Sequence, residues 1–345
     1  MQTSNENHRQ RFIDMLSFRP VGRPVTWYFY QPVGLLEHGE KLNDLYEKYP
    51  GDFDTFTRQP IPVLPPEVFD AEGRYYERKT DEWGAEWEYR IWGVMGHALN
   101  VPVKKLADAA NYKLPQLPAY LTDIEGQKKY FAERKKNFYT FGGAGGLFER
   151  MWAIRGFSDF MMDIEDDAPE TLALLDRLTD YFRAHVESAA EAGADGISFG
   201  DDYGTQDALL VSKETFRRVV KPRLKRMLEP AAAKGMHIHF HTCGRVINLF
   251  DDLKDLGIGS IWPQLPAYDL RELKDAIDFY RFSIALHTDR AITMTHGTPN
   301  EVRELVLLEN EIFKPKDGGA WFHIEVDNGF PFDNIKAMIE TIYSL

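Results

Sequence analysis

The sequence holds one cysteine, Cys243, in 345 residues. A lone thiol closes no intramolecular disulfide, so no disulfide framework supports the fold, and a reducing compartment is expected. Positive charge is scarce as well: 41 Lys and Arg stand against 54 Asp and Glu, a net charge of −13. Such a chain repels polyphosphate unless a basic stripe is set into its surface. The densest basic run, residues 217–226, reads as one face of a helix, so nucleic acid is not an expected partner. No window approaches the ~20 apolar residues of a membrane helix, and residues 1–8 are polar without the apolar centre of a signal peptide. The expected location is the cytoplasm, with no membrane partner. Gly/Ser linkers, low-complexity tracts and internal repeats are missing too, which argues for a single domain over residues 1–345.

Hydrophobic residues reach 43%, and aromatics 13% with seven Trp, enough for a large core. In residues 7–18, Phe12, Met15 and Leu16 fall at helical spacing before Pro20 and Pro24. Residues 25–30 are aromatic and β-branched and read as a strand. Residues 31–125 are Pro-rich at 60–66, then suggest a hairpin around Trp83-Gly84 and Trp92-Gly93. The expectation is an N-terminal elaboration of loops, hairpins and helix over residues 1–135, packed across one mouth of the core.

A regular rhythm fills residues 136–345. Strands are expected at 138–141, 196–200, 237–241, 260–262, 282–287 and 320–326, each followed by an amphipathic helical pattern. Asp167 is placed to cap a helix running to residue 192, and Gly142 to Gly146 read as a tight turn after a strand. Thr298-Pro299-Asn300-Glu301 is a capping box with Pro inside it. At least six β-α units of even length predict a parallel sheet, and favour an α/β fold of the (β/α)8 TIM-barrel type.

In such a barrel the active site lies at the C-terminal strand ends. Side chains two apart on a strand share a face, so in His237-Ile238-His239-Phe240-His241-Thr242-Cys243 the pair His241 and Cys243 converges. Together they offer two corners of a tetrahedral zinc site; the bland alternative is a small buried Cys beside a hydrogen-bonded His. In Trp321–Asp327 the same alternation puts His323, Glu325 and Asp327 on one face and Phe322, Ile324 and Val326 on the other. Inward carboxylates are costly unless paired or metal-bound, though Asp327 alone also suits a turn cap. Asp202, after strand 196–200, shares parity with the small residues Gly196, Ser198 and Gly200. It is a candidate ligand, acid/base or substrate contact, or a loop brace. His287 and Asp289 share a face and can orient one another. Trp27, Tyr28, Tyr30, Trp92 and Tyr203 are candidates to line a pocket for a small aromatic substrate, or are core. No GxSxG, HExxH or CxxC occurs.

Several runs are familiar together. Asp195-Gly196-Ile197-Ser198-Phe199-Gly200-Asp201-Asp202-Tyr203-Gly204, Lys221-Pro222-Arg223, His239-Phe240-His241-Thr242-Cys243-Gly244 and Gly297-Thr298-Pro299-Asn300-Glu301 resemble the uroporphyrinogen decarboxylase-like superfamily. The likeness is good over about residues 135–345, and its fold is a (β/α)8 barrel. The decarboxylases proper are metal-free and carry an Arg-rich N-terminal motif that grips substrate carboxylates. The corresponding stretch here, Arg23-Pro24-Val25-Thr26-Trp27-Tyr28, lacks it. The resemblance therefore points to the other branch, zinc-dependent methyltransferases that work with corrinoid proteins. Those hold zinc with a His-x-Cys pair, an acidic residue on the next strand and a late Cys. His241 and Cys243 match the pair, but the next strand offers Gln264 and no second Cys exists.

The resemblance thus implies a variant site in which Glu325, with Asp327, replaces the late thiolate. Asp202 and His287 are the expected catalytic residues, with Tyr28, Tyr30, Tyr203, Gln264 and His323 as substrate contacts. The implied function is methyl transfer between a small substrate, an aromatic methyl ether among the options, and the corrinoid of a partner protein. The alternative is a metal-free carboxy-lyase of the decarboxylase type.

Overall fold

A computed structural model describes residues 7–345. Ten strands are formed among them: β1 (Val25–Phe29), β2 (Glu77–Thr80), β3 (Glu86–Tyr89), β4 (His97–Asn100), β5 (Phe141–Ala144), β6 (Gly196–Gly200), β7 (His237–Thr242), β8 (Ser260–Pro263), β9 (Ser283–Leu286) and β10 (Ala320–Glu325). Seven of them build one sheet in the order β1-β10-β9-β8-β7-β6-β5, every neighbour parallel. Helices connect most of these strands and cover the outer face, so β9 and β10 are buried along their whole length. Strands packed on both sides need near-continuous burial, as their sequences supply.

The sheet is curled like a TIM barrel but is not closed, in contrast to the eight-stranded barrel expected from the rhythm. β1 and β5 are its two edges, with no ladder between them. The chain between them contributes residues 51–54 instead of an eighth strand. Asp52 N donates to the Thr26 carbonyl at 2.9 Å, and the Phe53 ring stacks on Trp27 at 4.2 Å. Trp27 in turn lies parallel to Phe141 of β5 at 5.3 Å. Stacked rings thus bridge the gap that backbone hydrogen bonds leave open.

The N-terminal helix His8–Leu16 is tied beneath the sheet by a buried carboxylate. Asp52 accepts from Arg11 Nη1 at 2.7 Å, Arg23 Nη2 at 2.7 Å and Thr26 N at 2.8 Å. Burial works against its charge, but His8, Arg11 and Arg23 outweigh it and hold the carboxyl down at about 2.

β5 lies at 141–144, three residues later than expected, so Gly142 and Gly143 belong to the strand. Gly142 is needed there, because a Cβ would come within 2.3 Å of Ala189 Cβ on the covering helix Pro169–Ala192. Asp167 does not cap that helix: Ala168 holds the N-cap position, while Asp167 pairs with Arg218. The capping box at Thr298 and Glu301 is formed in full. The expected hairpin region is a three-stranded antiparallel sheet, β2-β3-β4, packed through Trp87 onto Ala153 and Trp152. Among the described residues no helix is long and apolar enough to cross a membrane.

Candidate metal centre

Alternation along β7 sends Ile238 and Phe240 into the helix-facing core and its histidines into the barrel. His237 and His239 lie low, sharing the Ser260 hydroxyl at 2.7 and 2.8 Å. Burial lowers His237 to about 4 and His239 well below the ordinary imidazole value, so both are neutral. His241 stands at the C-terminal end. Its Nδ1 is 3.0 Å from the Trp262 carbonyl, an oxygen that can only accept, so the proton sits on Nδ1. The Nε2 lone pair then faces Cys243 Sγ at 3.7 Å and Asp202 Oδ1 at 4.0 Å.

Register brings Asp202 there. Gly200 of β6 lies opposite His241 of β7, and two residues later Asp202 Oδ1 accepts from Cys243 N at 2.6 Å. The two strand-end loops touch backbone to backbone: Gly244 has φ +73°, and a Cβ on it would meet the Gly204 carbonyl carbon at 2.2 Å. Gln264 Oε1 braces the same loop by accepting from Gly244 N at 2.9 Å.

One donor atom each from Asp202, His241 and Cys243 lies within 4.8 Å of the others, the set among the described residues that meets this spacing. A nitrogen, a sulfur and an oxygen are zinc-type donors. Burial and then the Asp202 carboxylate push the Cys243 thiol up to about 12. A divalent cation among the three donors relieves that penalty, because it stabilises both thiolate and carboxylate. The imidazole held from behind by the Trp262 carbonyl is the orientation a metal-binding His requires. The residues present fit a zinc ion.

Glu325 and Asp327, expected to complete the ligand set, lie outside that group. The indole of Trp262 packs against both His241, at 4.2 Å, and His323, at 3.8 Å. Glu325 Oε1 accepts from Gln31, while Oε2 lies 3.7 Å from His287 Nε2, 3.9 Å from His323 Nε2 and 4.0 Å from Arg290 Nη1. Burial raises its pKa. Asp327 pairs with Arg290 at 3.2 Å.

Trp262 Nε1 donates to His287 Nδ1 at 3.2 Å, which fixes the His287 proton on Nε2. Burial lowers His287 to about 3, so this N–H belongs to a neutral ring. His323 is buried, and among the described residues neither of its ring nitrogens has a hydrogen-bond partner. A pocket with about 50 Å³ of water-accessible space joins His241, Cys243, Trp262, His287 and Arg290.

The expected tyrosine contacts are placed elsewhere. On β1 it is Trp27 that faces the barrel, near His239 and His323. Tyr28, one residue on, faces the helices and stacks with Tyr30 at 5.6 Å against Tyr46. Tyr203 is fully buried, donates to Asp201 Oδ2 at 2.5 Å and packs on Phe148 and Phe216. Tyr28 and Tyr203 are buried in the core, and the half-buried Tyr30 packs against it.

Two acidic neighbours carry no signature in the sequence. Asp201 accepts from Phe148 N and Glu149 N, each at 2.8 Å, and so caps the helix Leu147–Arg155. Glu149 lies on that helix, and burial, then the nearby Asp201 and Asp202 carboxylates, raises it to about 8.

A methyltransferase from Methanosarcina mazei is 17% identical, with a TM-score of 0.67 over 99% of this chain and 99% of its own, and shares the fold. A dihydropteroate synthase from Xanthomonas albilineans is similar over 49% of this chain and 62% of its own, at 18% identity and a TM-score of 0.35. No curated protein matches in sequence. The uroporphyrinogen decarboxylase (URO-D) family matches residues 97–344, the span that contains Asp202, His241 and Cys243. On a match over most of its length, the chain belongs to the URO-D family.

Proposed function

We propose that this family member is a zinc-dependent methyltransferase, moving a methyl group between a small substrate and a corrinoid carried by a partner protein. The observation that carries the reading is the convergence of Asp202, His241 and Cys243 donors within 4.8 Å at the ends of β6 and β7. The fold shared with the Methanosarcina methyltransferase supports the same class.

His241 Nε2, Cys243 Sγ and Asp202 Oδ1 would hold the metal, and substrate or water would take the open position. When bound, zinc supplies a Lewis acid for the methyl-bearing or methyl-accepting atom. The single thiolate leaves the metal more electrophilic than a sulfur-rich site does, which suits an oxygen substrate such as an aromatic methyl ether.

The protein's own groups orient that chemistry. The Trp262 carbonyl fixes the His241 ring, and the Cys243 N–H anchors Asp202. His287 presents a fixed Nε2 proton beside Glu325 in the same pocket, as a hydrogen-bond donor to a substrate atom.

The test is metal content by mass spectrometry, wild type beside Cys243→Ala, after purification without an affinity tag. About one zinc per chain, absent from the variant, with methyl transfer to a corrinoid protein lost in parallel, is the expected result. Metal-free wild-type protein after zinc is supplied overturns the reading.

A further inference from the structure

The 50 Å³ pocket beside His241 and Cys243 has room for a water or a methyl group and not for a ring. A larger cavity of about 460 Å³ lies between the β2-β3-β4 sheet and the helix Leu147–Arg155. That volume is in the range of sites for small organic molecules. Its walls are aromatic. Trp87 meets Trp152 edge-on at 6.3 Å, and Trp83 meets Tyr181 edge-on at 5.0 Å with Phe182 beside it. Trp83 and Trp87 are largely buried and Trp152 is half-buried, so the three indoles wall the cavity with aromatic surface.

The floor is backbone at Gly145 and Gly146. A Cβ on Gly145 would come within 2.3 Å of the Phe182 ring, and one on Gly146 within 2.4 Å of the Gly200 carbonyl. Glu149 also lines the cavity, and Gly146 of its floor lies against the Gly200 carbonyl and the Asp201 carboxylate, next in sequence to Asp202. The cavity therefore borders the metal-binding group.

Asp81, Glu82, Glu149 and His185 line the cavity as well, and Arg150 is its guanidinium. The guanidinium lies 4.6 Å over the Trp83 ring and bonds Asp81 through Nη1 at 3.2 Å. Asp81 is itself held by the N–H groups of Trp83 and Ala85 and by Trp87 Nε1, so it fixes the Arg in place. Arg150 has five N–H donors, and among the described residues one bonds a protein acceptor. A resident cation over Trp83 disfavours a second cation, and spare donors favour an oxygen-bearing ligand.

We infer that this cavity binds a small aromatic acid, its ring among Trp83, Trp87 and Trp152 and its carboxylate on Arg150, with any methoxy group a separate substituent. This rests on the proposed methyl transfer only in making that molecule the methyl-bearing substrate; the binding itself does not need the metal.

Titration of the full-length protein with 2-methoxybenzoate, followed by tryptophan fluorescence quenching, tests the inference. Saturable binding is expected, weakened about tenfold or more in Arg150→Gln through loss of a charge-assisted bond, and weakened again in Trp152→Leu. Cyclohexanecarboxylate should bind far less well. Cys243→Ala should bind within about twofold of wild type, so failure of the zinc reading and failure of this one are told apart. Arg150 is partly exposed, which keeps the test decisive should Trp152→Leu not fold. Wild-type protein that does not saturate, an Arg150→Gln protein that binds like wild type, or displacement of the probe by tetramethylammonium overturns the inference.

Discussion

Asp52→Asn removes the charge that ties the N-terminal helix to the open edge of the barrel. The Asp52 side chain is wholly buried, and Arg11, at 7% side-chain exposure, loses its carboxylate partner in the variant. Leaving a buried Arg beside a neutral amide falls among the costly substitutions, about 3–5 kcal/mol. The pH dependence has a definite sign. The folded pKa of about 2 lies below the unfolded value near 3.9, so the ionised carboxylate contributes about 2 kcal/mol above pH ~4. That contribution is lost as pH falls through 2. Urea unfolding of both proteins at pH 7 and at several points from pH 5 to 2.5 measures it. The gap between wild type and variant should be wide at neutral pH and narrow on the acid side. A gap below about 1 kcal/mol at pH 7, or one that does not narrow, would refute the assignment of Asp52 as the anchor.

Further outcomes follow from other sites. Glu309 is fully buried, with Thr288 Oγ1 donating to it at 2.9 Å, and burial raises it to about 8. Its folded pKa exceeds the unfolded one, so its stability contribution declines as pH rises from about 4 to 8. Glu309→Gln should therefore melt higher than wild type at pH 8, with the difference shrinking toward pH 4 in a thermal series. Gly146→Ala drives a Cβ to 2.4 Å from the Gly200 carbonyl. It should cost about 1–3 kcal/mol in urea unfolding, and an unchanged midpoint would contradict the close approach. Zinc at about 100 times its Kd should stabilise wild type by about 2.7 kcal/mol and Cys243→Ala scarcely at all. Thermal shift with and without a chelator reads this directly.

Period-two alternation put His241 and Cys243 on one face, and the structure finds Sγ 3.7 Å from Nε2. The β-α rhythm announced the parallel sheet, and four residues in a row, Thr298 to Glu301, specified their own cap. These features depend on neighbours within a few positions, which is why they are legible without coordinates. Alternation was equally available on β1, yet it does not say which parity faces inward. Trp27 took the barrel side by stacking on Phe53 and Phe141, and Tyr28 was left to the helices.

Contacts between distant strands depend on register and on the bulk of what lies between. Asp202 joins His241 and Cys243 because Gly200 pairs with His241, a match set by packing rather than by any local motif. Glu325 has the right residue type and the right face, but β10 lies three places from β7 in the sheet, and its carboxylate is taken up by Gln31, His287, His323 and Arg290. The missing eighth strand has the same origin: residues 51–54 satisfy β1 with a single backbone bond and a stack of rings. The aromatic cavity is assembled from residues 83–87 and 145–182, far apart in sequence, so only the folded chain brings its walls together. Local pattern determined the elements and the His-Cys pair; long-range packing decided which carboxylate stands beside that pair and where room for a ligand is left.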